Sequence, residues 1–189
     1  MKTEQQYYEE GKTLADYMEG MTTHKENSQK VYESFKLPQG DELIGLLKEK
    51  QPHILVITED WCGDAMMNNP ILRHIVEAAG IEARIAYRDA DTELIDRWLT
   101  NGGRSIPVYL LLDKDGDVLA KWGPRAPQVQ EYVMEQRETL PPKDAPDFEE
   151  KQKKLFKNLY VEYTTNADYW LWVYEDIRRT FMTALQKQD

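Results

Sequence analysis

Trp61-Cys62-Gly63-Asp64-Ala65 is the stretch whose reading decides the fold. It holds the only cysteine among 189 residues. The apolar run His53-Ile54-Leu55-Val56-Ile57-Thr58 precedes it, and Met66, Ile71, Ile75 and Val76 follow at helical spacing. The thiol is therefore expected at a strand-to-helix junction. A helix N-terminus presents unpaired N–H groups and a positive dipole end, and both favour a thiolate.

Working outward, residues 82–88 and 108–112 read as further strands. Asp113-Lys114-Asp115-Gly116 is a turn, and 118–121 is the returning strand. Asp91 caps a helix carrying Leu94, Ile95 and Trp98 that ends at Asn101-Gly102-Gly103. Asp41 caps another, carrying Leu43, Ile44, Leu46 and Leu47. Pro70 lies inside the helix after Cys62 and predicts a kink. Gly123-Pro124 breaks the chain before a helix over 126–138. Strands alternating with helices, then a hairpin, give an α/β class with a mixed central sheet.

Two helical additions flank this core. Residues 1–36 read as helical, with Tyr7, Leu14, Tyr17, Met18 and Met21 on one face and Val31, Tyr32 and Phe35 on a second. Pro38-Gln39-Gly40 is a break. Residues 140–147 form a Pro-rich linker, and helices are expected over 148–160 and 167–188. The expected division is a single domain with an N-terminal addition over 1–40, a core over 41–138 and a C-terminal addition over 139–189.

The net charge of −10 argues against nucleic acid and anionic membrane surfaces, which need clustered Lys and Arg. No secretory signal and no run long enough to span a bilayer is seen, and one cysteine cannot form an internal disulfide. The expected location is the reducing cytoplasm. His24, His53 and His74 lack metal spacing. Asp113, Asp115 and Asp117 mimic the start of a calcium loop, but Pro124 stands where its final Glu belongs. No metal site and no cofactor are expected.

Residues 41–138 resemble the thioredoxin-like family. Trp61-Cys62-Gly63-Asp64-Ala65 is similar to its Trp-Cys-Gly-Pro-Cys. Gly103-Arg104-Ser105-Ile106-Pro107 is similar to its segment bearing a cis-proline, and the turn at 113–116 followed by Gly123 is similarly placed. The resemblance implies a thioredoxin-like three-layer sandwich. It also implies a catalytic Cys62 and a substrate surface at Trp61, Gly63, Asp64, Ile106 and Pro107. A cis Ile106–Pro107 bond would leave the Ile106 N–H and C=O free to hold an extended peptide or thiol carrier.

Three departures follow. Ala65 stands at the second cysteine, Asp64 at the proline, and Val56 at a buried acid. A second thiol cannot resolve a mixed disulfide within this chain. Monothiol exchange with protein mixed disulfides or a low-molecular-weight thiol is the leading expectation. A catalytically inactive thioredoxin-fold binding module is the alternative, and a Cys→Ala trap variant of a dithiol reductase is another. Glu59, Asp60 and Asp64 crowd the thiol, so it is expected to be less acidic than in strong oxidants, close to the free value near 8.5. Arg73 and Arg104 could offset these acids only through folding. On the last helix, Trp170 and Tyr174 share a face that would mark a protein-partner surface if exposed, whereas Tyr169, Trp172 and Ile177 read as packing residues.

Overall fold

The computed structural model describes residues 1–188. The N-terminal region forms α1 (Glu4–Glu10), β1 (Lys12–Thr13), α2 (Leu14–Glu19) and α3 (Lys25–Ser34). Next come α4 (Glu42–Lys50), β2 (His53–Thr58), α5 (Gly63–Ala79), β3 (Ala83–Tyr87) and α6 (Thr92–Asp96). The hairpin β4 (Val108–Leu112) and β5 (Val118–Trp122) leads into α7 (Pro127–Glu138), α8 (Phe148–Thr165) and α9 (Ala167–Gln186).

The sheet order is β1-β3-β2-β4-β5. β2 runs parallel to β3 and antiparallel to β4, and the hairpin closes the far edge, so the sheet is mixed as expected. Side chains alternate across a strand. Ile54, Val56, Tyr109 and Leu111 accordingly enter one apolar layer with α3, α4, α5 and α9. Leu55, Ile57, Val108, Leu110 and Leu112 enter the other, with Tyr7 and Tyr8 of α1 and Leu94 and Ile95 of α6. Three layers result. Each fully buried aliphatic side chain contributes about 1.5–3 kcal/mol from leaving water.

Residues 1–36 are not wholly helical. Lys12 and Thr13 pair antiparallel with Ile85 and Arg84 of β3, so this segment adds an edge strand. Gly11 permits the approach: a Cβ there would lie 2.5 Å from the Ile85 carbonyl oxygen. The helix after Asp91 stops at Asp96, well short of Asn101-Gly102-Gly103. α8 runs past 160 to Thr165.

Pro70 does not terminate α5, which continues to Ala79. Proline removes the bond to the carbonyl four residues back. That carbonyl, on Met66, instead accepts the buried Ser28 hydroxyl at 2.9 Å, which ties α3 to α5. Asp41 caps α4 by accepting the Leu43 N–H at 2.9 Å and also receives Arg178 of α9 at 2.8 Å. The caps and the apolar layers fix α5 against the sheet, and its N-terminus carries Cys62.

Candidate functional site

Cys62 is the N-cap of α5, directly after β2 and the Glu59–Trp61 turn. The strand is buried on both faces, so it cannot shift, and the thiol is set by β2, α5 and the loop before β4. The Ile106–Pro107 bond in that loop is cis. Cys62 Sγ donates to the Ile106 carbonyl oxygen at 3.5 Å.

The thiol takes up one of the two lone pairs of that carbonyl. Ile106 and Pro107 are both buried, and Gly123 packs so closely that a Cβ there would lie 2.1 Å from the Pro107 oxygen. The Gly123–Pro124 bond is also cis, and Asn68 of α5 donates to the Pro124 carbonyl at 2.8 Å.

The thiol is also covered. Cys62 is only 8% exposed. α8 lies over the N-terminus of α5, and Tyr160 stacks on Gly63 so tightly that a Cβ at 63 would fall 2.2 Å from its ring. The Tyr163 hydroxyl donates to Asp64 Oδ1 at 2.7 Å. Arg125 clasps the same carboxylate, with Nε 3.0 Å from Oδ1 and Nη2 2.9 Å from Oδ2. Trp61 stays about half exposed, with the Arg88 guanidinium 4.8 Å from its ring centroid. A cavity of about 190 Å³ remains, lined by Trp61, Cys62, Asp64, Arg125, Phe156 and Tyr160 among others.

This burial raises the thiol pKa from an ordinary 9.0 to about 11. Desolvation is the largest cause, and the Asp64 charge is the second. The Ala65 and Asp64 N–H groups and Arg125 pull it down by less. The sequence reading placed the thiol near the free value, and the structure holds it well above. Burial was the missing quantity. Two of the three neighbouring acids are in fact spent elsewhere: Glu59 accepts the Asp89 N–H at 3.0 Å, and Asp60 accepts the Thr22 N–H at 2.8 Å.

Arg73 and Arg104 do not reach the site either, being paired with Glu77 and Asp96. The cation that does is Arg125, from the Gly123-Pro124 loop. Arg125, Tyr160 and Tyr163 were missed because nothing local in sequence links 125 or 160–163 to 62. Trp170 and Tyr174 are buried at 6% and 1% exposure, so the face proposed as a partner surface is a packing face. The Trp170 indole N–H donates to the Tyr163 carbonyl at 2.8 Å, which fixes α9 against α8.

Among the described residues, no group of three or more His, Cys, Asp or Glu could hold a metal ion. Asp113 Oδ1 accepts the N–H groups of Asp115 and Asp117 at 2.9 and 3.0 Å, so that carboxylate organises the hairpin turn. Among the described residues, no helix is long and apolar enough to cross a membrane.

A family described as Thioredoxin matches residues 11–140. The chain belongs to this thioredoxin family. The match takes in β1, the whole sheet and Cys62, and it stops before α8. Two solved structures resemble the thioredoxin-family chain over its full length. One is the 1.5 Å crystal structure of PA1234 from Pseudomonas aeruginosa, a protein of unknown function. It is 19% identical, covers 100% of both chains and has a TM-score of 0.67. The other is an HIV epitope-scaffold, 19% identical, covering 100% of this chain and 99% of that one, with a TM-score of 0.64. At this identity the likeness is one of fold, helical additions included. No curated protein matches. Membership of a thioredoxin family is in keeping with redox-type chemistry in general.

Proposed function

We propose that this thioredoxin-family chain carries out thiol–disulfide exchange through Cys62 alone, after α8 lifts from the site. The observation that carries this reading is the placement of Cys62 Sγ at the N-terminus of α5, beside the cis Ile106–Pro107 loop and bordering the cavity under Tyr160. The Ala65 and Asp64 N–H groups at the start of α5 lower the thiol pKa and so favour the thiolate.

In the forward step, the Cys62 thiolate attacks one sulfur of a mixed disulfide R–S–S–R′. A Cys62–S–S–R bond forms and R′–S⁻ departs, to be protonated by water. Ala65 cannot resolve the adduct. A second thiol R″–SH must attack Cys62–S–S–R, releasing R–S–S–R″ and restoring Cys62. Atoms and electrons balance with no other reductant. Protein mixed disulfides and low-molecular-weight thiols fit this scheme, and the reducing cytoplasm supplies the second thiol.

The cover sets the rate. A pKa near 11 in place of 9.0 lowers the thiolate fraction at neutral pH about a hundredfold, so the closed protein is slow. The same burial supports a second reading, a non-catalytic binding module in which Cys62 only fills space. Glutathione-dependent reduction of 2-hydroxyethyl disulfide separates the two. The exchange reading expects turnover above the uncatalysed rate that Cys62→Ser abolishes. Equal rates for both proteins favour the module.

A further inference from the structure

We infer that the cavity between the end of α7, the 140–147 segment and the start of α8 binds a small amphipathic organic anion. The cavity encloses about 490 Å³, within the usual range for small-molecule sites. Leu140, Pro141, Phe148, Leu155 and Phe156 give it an apolar body. Its charged lining residues are Arg137 and Lys143, and no carboxylate lines it.

Arg137 is the informative residue. The chain has ten more acidic than basic groups, and its arginines find acidic partners. Arg73, Arg84, Arg88, Arg97, Arg104, Arg125, Arg178 and Arg179 all form ion pairs. Among the described residues Arg137 is the arginine without one; Lys143, like most of the lysines, forms none either. Two cations at the rim of an apolar cavity that no carboxylate lines suit a ligand with an apolar body and a carboxylate, sulfonate or phosphate. A guanidinium matches such a group with two parallel N–H bonds. Arg137 and Phe156 also line the cavity beside Cys62, so the two spaces adjoin. The inference does not depend on the thiol being reactive.

The test uses two dyes with one body, 8-anilinonaphthalene-1-sulfonate and the uncharged N-phenyl-1-naphthylamine. Fluorescence titration of the full chain is expected to show saturable one-to-one binding of the sulfonate, tighter than that of the uncharged dye. Arg137→Glu and Lys143→Glu change exposed side chains. Each is expected to weaken the sulfonate about tenfold while leaving the uncharged dye unchanged, with circular dichroism as for the parent protein. Raised salt should weaken the sulfonate alone. No saturable binding, equal affinity for the two dyes, or sulfonate binding that survives the double charge reversal would each overturn the inference.

Discussion

Replacing Asp64 by Asn tests how the cover controls the thiol. Asp64 and Arg125 are nearly closed off, with side chains 12% and 15% exposed. Asn keeps the shape and can still accept from Tyr163 and Arg125, but it carries no charge. Asp64 is the second cause of the raised Cys62 pKa, after burial. A unit charge roughly 6 Å away at an effective dielectric of about 40 is worth about 1.4 kcal/mol, or one pKa unit. The Arg125 charge, no longer opposed, acts in the same direction. The thiol pKa should therefore move from about 11 to about 10. Below that pH the alkylation rate should rise about tenfold, and burial should still hold the pKa above 9.0.

The same change strands Arg125, and breaking a buried pair costs about 3 kcal/mol of stability. Iodoacetamide alkylation over pH 7–11.5 reads the thiol directly, since there is only one. A urea curve at each pH gives the unfolded fraction, whose reaction is subtracted. A midpoint that stays in place or moves up would refute the electrostatic reasoning.

Further outcomes follow from the same packing. Gly63→Ala would drive a Cβ to 2.2 Å from Tyr160 and should cost about 1–3 kcal/mol while speeding alkylation. Adding Tyr160→Ala should recover much of that cost, which a double-mutant cycle in urea would register as coupling. Tyr7 and Tyr8 are raised to about 12, chiefly by burial, as is Cys62 to about 11. Their neutral forms are favoured in the folded state. The stability they contribute is therefore complete below about pH 9 and is lost as pH rises toward 12, which urea midpoints at pH 7, 9 and 11 should follow downward. Trp122→Phe removes an indole N–H bond of 2.7 Å to Asp176 and should cost about 1–3 kcal/mol, read as a lower urea midpoint with an unchanged slope.

Much of the architecture was legible because it follows local periodicity. The buried run at 53–58, the helix after Cys62, the 108–122 hairpin and the Asp41 cap all declare themselves within short windows. β1 was not legible: two residues carry no strand pattern, and only Gly11 fitting against Ile85 explains it. α5 runs through Pro70 because Ser28, 38 residues before Met66, supplies a donor to the freed Met66 carbonyl. At the site, Cys62, Trp61, Gly63, Asp64, Ile106 and Pro107 could be named from motifs. Their exposure could not, since Tyr160, Tyr163 and Arg125 meet them only through the tertiary fold. That gap changed the chemistry most, turning an expected open thiol into a covered one.

The central claim is that the covered Cys62 still exchanges in the native protein. The most direct measurement is intact mass of the folded chain incubated with glutathione disulfide at pH 8, then with excess reduced thiol. The account predicts one glutathionyl adduct, formed slowly without denaturant, absent in Cys62→Ser and removed by the added thiol. An adduct that appears only after denaturation would contradict it and leave the thiol a space-filling residue.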